Sequence, residues 1–261
     1  MEFGVRQPAV AGAFYPRSKN DLVLMLEKFF QSAKNIQKSK IKAIIVPHAG
    51  YIYSGQTAAW GYYQLSSSHL ENPHFVLIGP SHYFLFDGLV CSSFKYWLTP
   101  LGKIRHQPWS KADDNIFIDN QPHLNEHSLE VQLPFLQYLY RRLSISGFLT
   151  SQQIKFEETA RQLLKNYPSS IYIISSDLSH YLPEVQAREK DKNTIEAILK
   201  LDLDYFRYED NSACGANGIG LLLSMARIKG WLRKLVYYDT SFTASGDRNQ
   251  VVGYCSIVFY Q

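Results

Sequence analysis

Three histidines stand just beyond three of the most apolar runs in the chain. His48 lies in Pro47-His48-Ala49-Gly50-Tyr51, after KAIIV (42–46). His82 lies in Gly79-Pro80-Ser81-His82-Tyr83, after FVLI (75–78). His180 lies in Ser176-Asp177-Leu178-Ser179-His180-Tyr181, after IYIIS (171–175). A lone histidine after a strand usually caps or packs. Three at matching places, among the eight in the chain, argue for one shared site. Imidazole is the commonest metal ligand and the natural acid or base near neutral pH. Two imidazoles with a third, anionic ligand and open positions suit non-haem iron or copper.

Two residues compete for that third place. Asp177 shares a loop with His180, three residues on. If that loop opens a helical turn, both side chains face one way, and the carboxylate can orient the imidazole. The competing reading is an Asp helix cap beside an exposed His. Cys214 precedes a helix expected over residues 219–228. A thiol near a helix N-terminus has its pKa lowered by the helix dipole, and Gly215 lets the backbone pass close to a ligand. The competing reading is a small buried thiol beside a tight turn. Cys91 and Cys255 read as core thiols. Glu126 and His127 either cap the following helix or support the pocket, where Tyr51, Ser81 and Gly215 are also placed. His69, His74, His106 and His123 are expected at the surface or at strand edges.

The elements that must position these residues alternate. Strands are expected at 42–46, 75–78, 171–175, 235–238 and 251–259, with weaker ones at 88–92 and 145–149. Helices are expected at 21–30 capped by Asn20, at 57–65, at 128–140 with a kink or restart at Pro134, and at 156–166, 184–200 and 219–228. This alternation predicts an α/β fold of three layers, a mainly parallel or mixed central sheet with helices on both faces. Sites in such folds form beyond the carboxyl ends of the strands, where the three histidines stand.

The 261 residues fit one α/β domain over 1–261, and a 46% hydrophobic share with 14% aromatics supplies a full core. The net charge of +4 is mild. Its densest patch, with Lys34, Lys38, Lys40 and Lys42, reads as a solvated loop. No basic face interleaved with aromatics argues for nucleic acid, and no apolar run is long enough to cross a membrane as a helix. The opening residues lack a signal-peptide pattern. Three cysteines suit a reducing compartment, so the cytoplasm is expected.

The same loops carry a family resemblance. Residues 6–16 (RQPAVAGAFYP), 44–55 (IIVPHAGYIYSG), 79–82 (GPSH), 99–102 (TPLG), 126–136 (EHSLEVQLPFL), 175–181 (SSDLSHY), Cys214-Gly215 and 245–254 (SGDRNQVVGY) follow in order. Together they resemble the Memo family, also met as the B component of the AmmeMemoRadiSam system. The resemblance implies the fold of class III extradiol dioxygenases, with His48, His82 and Cys214 as ligands of iron(II) or copper. Asp177 and His180 would line the same pocket, His180 as acid/base. Cysteine in place of the dioxygenases' carboxylate favours copper(I) or iron and leaves ring cleavage uninherited. Gly218 stands where relatives often have Pro, which loosens the helix start. Three function classes follow. The first is a metal-dependent redox enzyme acting on a small molecule. The second is a metal carrier without turnover. The third is a peptide-binding or signalling module that needs no metal. The resemblance also implies a radical-SAM protein and an AmmeMemoRadiSam-type companion as partners.

Overall fold

A computed structural model describes residues 4–34, 40–66, 70–110, 115–208 and 212–261. His69 and Lys38, both read from sequence, lie outside the described residues. The chain runs β1 (Val5–Arg6), α1 (Lys19–Ser32), β2 (Ile41–Val46), α2 (Tyr51–Tyr63), β3 (His74–Pro80), β4 (Leu89–Cys91), β5 (Tyr96–Thr99), β6 (Gly102–His106) and β7 (Ile116–Ile118). It continues through α3 (Gln121–Leu124), a 3-10 turn (Glu130–Gln132), α4 (Leu133–Leu139), β8 (Ser144–Thr150), α5 (Phe156–Asn166), β9 (Ile171–Ser175) and β10 (His180–Leu182). Last come α6 (Glu184–Lys200), α7 (Leu203–Tyr208), α8 (Ala216–Lys229), β11 (Leu232–Thr240), α9 (Phe242–Ser245) and β12 (Val251–Tyr260).

The sheet is mixed, in the order β1-β5-β6-β8-β3-β9-β2-β12-β10, with β11 beside β12 and β4 beside β8. Its centre is parallel: β8 pairs with β3, β3 with β9 and β9 with β2. β12 runs antiparallel to β2. Successive strand residues point to opposite faces, and both faces are apolar. Ile45, Val76, Ile78 and Ile174 pack under α5 and α8, while Ile44, Val46, Leu77 and Ile173 pack under α1, α2 and α4. This is the three-layer arrangement that the apolar strand runs predict. Val46 pairs with Ser175, Ile78 with Ile174, and Pro80 with Thr150, so the carboxyl ends of β2, β3, β9 and β8 form one edge.

Several boundaries differ from the sequence expectation. Ser18 rather than Asn20 caps α1, its hydroxyl accepting the Asp21 N–H. α2 starts at Tyr51, six residues early, because the Tyr51 N–H is satisfied by the Phe14 carbonyl at 2.8 Å. α8 starts at Ala216. Its glycines look like breakers but serve close packing. A Cβ on Gly220 would lie 2.5 Å from the Phe156 ring, and one on Gly218 would lie 3.3 Å from Ile174. Gly218 therefore packs the helix onto the sheet rather than loosening it. Pro134 sits in the first turn of α4, directly after the 3-10 turn, so the expected restart is found. Residues 176–179 form no helical turn. They lead into β10, which pairs with β12. Among the described residues no helix is long and apolar enough to cross a membrane.

Candidate functional site

β2 delivers His48 two residues past its end. The ring is buried, and its Nδ1 lies 2.8 Å from Ser175 Oγ. Ser175 donates its single hydroxyl proton to the Ser128 carbonyl at 2.6 Å and accepts from Gln132 Nε2. It must therefore accept from His48, which places the imidazole proton on Nδ1. Nε2 is left with its lone pair, and it faces Cys214 Sγ at 3.2 Å. Burial, with the nearby His82, pushes the His48 pKa down to about 3, so the ring is neutral at pH 7.

β3 delivers His82 in the same way. Its backbone N–H donates to Glu126 Oε2 at 2.7 Å, and its ring Nδ1 meets Glu126 Oε1 at 2.9 Å. Oε1 also accepts the N–H groups of His127 and Ser128. Burial raises the Glu126 pKa, but the His82 contacts and these donors outweigh it and hold the carboxyl at about 2. Glu126 in turn moves the His82 pKa up against burial and fixes its proton on Nδ1, so Nε2 is the free nitrogen. Arg6, buried at the back of the site, grips the Glu126 carbonyl oxygen with Nη2 at 2.5 Å and the Glu130 carboxylate with Nη1 at 2.6 Å.

Cys214 sits before the first turn of α8, half-buried, with Sγ accepting the Asp177 N–H at 3.2 Å. Burial and the Asp177 charge push the thiol pKa up. This overturns the expectation that the helix terminus lowers it: desolvation of the thiolate outweighs the dipole here. Asp177 is buried, its pKa raised by burial, and its Oδ1 accepts the His48 backbone N–H at 2.7 Å. Among the described hydrogen bonds none joins it to His180, which acts on it through charge. Its hydrogen bond anchors the loop that carries His48.

These groups share one cavity of about 920 Å³, lined also by Phe14, His127, His180 and Lys190. His127 stacks on His82 at 4.6 Å and meets His48 edge-on at 5.5 Å. Burial pushes its pKa down to about 4. The ligand atoms of His48, His82 and Cys214 all lie within 4.8 Å of one another, as do those of His82, Glu126 and His127. The second group is the poorer cradle for a cation, because the Glu126 oxygens already accept four N–H donors. In the first group two imidazole nitrogens and a sulfur converge without competing carboxylates, a donor set that fits a borderline or soft transition metal.

The sequence matches a family described as Memo-like protein over residues 6–258. The chain belongs to the Memo family. MEMO1 family proteins of Thermoplasma acidophilum, Archaeoglobus fulgidus and Methanosarcina barkeri are 36%, 37% and 38% identical to it. The alignments cover 97%, 98% and 97% of this chain, and 98%, 99% and 99% of those relatives.

In this Memo chain the structure brings together His48, His82, Cys214, Asp177, His180 and His127, with Glu126 directly behind His82. It does not bring in Tyr51, Ser81 or Gly215. Tyr51 is a core ring whose hydroxyl donates to the Val131 carbonyl at 2.6 Å. Ser81 Oγ accepts the Phe84 N–H at 3.2 Å. Gly215 lies behind the cavity, where a Cβ would come within 2.7 Å of the Ser175 carbonyl. His106 and His123 are buried against Trp97 rather than at the surface. Ser175, Gln132 and Arg6 escaped sequence reasoning as site residues. Polar side chains at the end of an apolar strand were the available signal for Ser175. Nothing in the helical pattern of α6 marked Lys190.

Proposed function

We propose that the chain holds one redox-active transition metal, iron(II) or copper, between His48 Nε2, His82 Nε2 and Cys214 Sγ, and that it carries out redox chemistry on a small molecule in the adjoining cavity. The observation that carries this reading is the double orientation of the imidazoles. Ser175 fixes one Nδ1–H and Glu126 the other, so both Nε2 atoms are aimed at the same point without reorganisation. When bound, the metal would supply a Lewis-acidic, redox-active centre. The surrounding side chains would do the rest. Asp177 fixes the His48 loop through its backbone N–H. Phe14 and His127 wall one side of the cavity. His180, which also lines the cavity, would exchange a proton with a bound molecule.

The test is anaerobic purification without a His-tag, titration with iron(II) and copper(I), and dioxygen-uptake recording. The reading expects about one equivalent of metal and oxygen consumption that His180→Ala abolishes while keeping the metal. Binding without consumption favours a carrier, and loss of metal in His180→Ala makes that residue a ligand. A second reading rests on a different observation. The three histidine loops expose Ile52 and Tyr53, Tyr83 to Leu85, and Tyr181, side chains suited to docking a peptide. That metal-free module predicts partner binding unchanged by His48→Ala.

A further inference from the structure

At the opposite end of the sheet lies a second hollow of about 350 Å³. It sits where the β5–β6 hairpin meets the end of α4, and Arg105 on its wall pairs with Ser144 at the start of β8. The histidines instead follow strand ends. Four charged side chains line the hollow, Lys103, Arg105, Arg141 and Arg142, and no carboxylate does. Arg105, Arg141 and Arg142 form no ion pair among the described residues. In a chain with 27 basic and 23 acidic residues, that is a local segregation of charge.

Ordinary structural duties do not account for all four. Arg141 and Arg142 follow α4 and oppose the negative end of its dipole. Arg105 has no such reason. It alternates with Lys103 along the exposed side of β6, while Ile104 and His106 between and beyond them are buried. The floor is apolar, from Ile104 and Tyr140, and Tyr96 stands exposed at the rim. Like charges gathered around one concavity repel, and a bound anion relieves that. Guanidinium forks match phosphate oxygens two at a time, and an exposed tyrosine offers a face to a planar base. The volume suits a small molecule. It is a local concavity bounded by the hairpin and the end of α4, whereas a nucleic-acid strand needs an extended basic track.

We propose that this hollow binds a nucleoside phosphate, its phosphates held by Lys103, Arg105, Arg141 and Arg142 and its base resting on Tyr96. The test is calorimetric titration of the full chain with ADP and with pyrophosphate. Four proteins are compared: wild type, Arg105→Ala with Arg141→Ala, Tyr96→Ala, and His48→Ala. The substituted arginines are exposed, and thermal unfolding checks that each variant folds. Both probes should bind the wild type and His48→Ala alike. The arginine variant should weaken both by about tenfold or more, and Tyr96→Ala should weaken ADP but not pyrophosphate. No binding to the wild type overturns the site, as does binding that survives the arginine changes or disappears with His48→Ala. Equal effects of Tyr96→Ala on both probes overturn the base contact. An oligonucleotide that binds more tightly than ADP, and more so with length, overturns the small-molecule assignment.

Discussion

Replacing Glu126 by Gln removes a charge and one acceptor oxygen while keeping shape. The carboxylate now accepts four N–H donors, three on Oε1 and the His82 backbone N–H on Oε2 at 2.7 Å. A glutamine that keeps its carbonyl at the Oε1 position must aim its NH₂ at the His82 N–H, donor against donor. The lost charge-assisted bond is worth about 1.5–3 kcal/mol. The backbone stays in place because Arg6 grips the Glu126 carbonyl. The loss therefore falls on the loop and ring of His82. Carried into binding, it lowers metal affinity by roughly 10–100-fold, the range found when outer partners of a ligand histidine are removed. The assay is competition for iron(II) or copper(I) against a chromophoric chelator, with circular dichroism as the check on folding. A folded Glu126→Gln protein with wild-type metal affinity would refute the claim that Glu126 sets the His82 ring for a ligand role.

Other expectations follow from the same geometry. Gly253→Ala would press a Cβ onto Asp191 Oδ2, part of a carboxylate that accepts the Ser179 N–H on Oδ1 at 2.9 Å and the Tyr238 OH on Oδ2 at 2.8 Å. Turning that carboxylate away should cost about 3 kcal/mol in denaturant unfolding, and adding Asp191→Ala should recover part of the loss. Glu130→Gln leaves the buried Arg6 charge without its partner, so stability should fall by about 3–5 kcal/mol; a loss within experimental error would mean that Arg6 is held by the carbonyls alone. Burial first, with Arg6 or His74 charge added, holds His123 at about 3 and His106 at about 4, below the ordinary 6.5. Between pH 6.5 and about 4 the unfolded chain binds protons at these two sites that the folded chain refuses. The stability they allow is intact above that window and lost through it, at about 1.4 kcal/mol per pH unit for each. His106→Gln should therefore give a shallower acid-side loss in urea unfolding, and an unchanged slope would show that His106 titrates normally.

The sequence made the histidines legible because parallel strands end along one edge, so the short loops that follow three of those ends come together. Cys214 was legible from its place before a helix only as one of two candidates, and the family resemblance chose it, since nothing in local periodicity says that the start of α8 faces β2. The hydrogen bond by which Asp177 anchors the His48 loop was not legible, because the His48 backbone N–H lies 129 residues away in sequence. The burial of His106 and His123 depends on Trp97 and Arg6 closing over them, a matter of packing between short elements. β1, the β5–β6 hairpin, α3, α7 and α9 were missed for a related reason. Elements of two to six residues are stabilised by the neighbours they pair with, not by a pattern of their own.

Whether His48, His82 and Cys214 act together on one metal ion is decided by X-ray absorption spectroscopy of the metal-loaded protein. The spectrum should show one sulfur and two imidazoles bound to the metal, the sulfur lost in Cys214→Ser and one imidazole in His48→Ala or His82→Ala. A spectrum without sulfur, or one unchanged by these substitutions, would contradict that joint action.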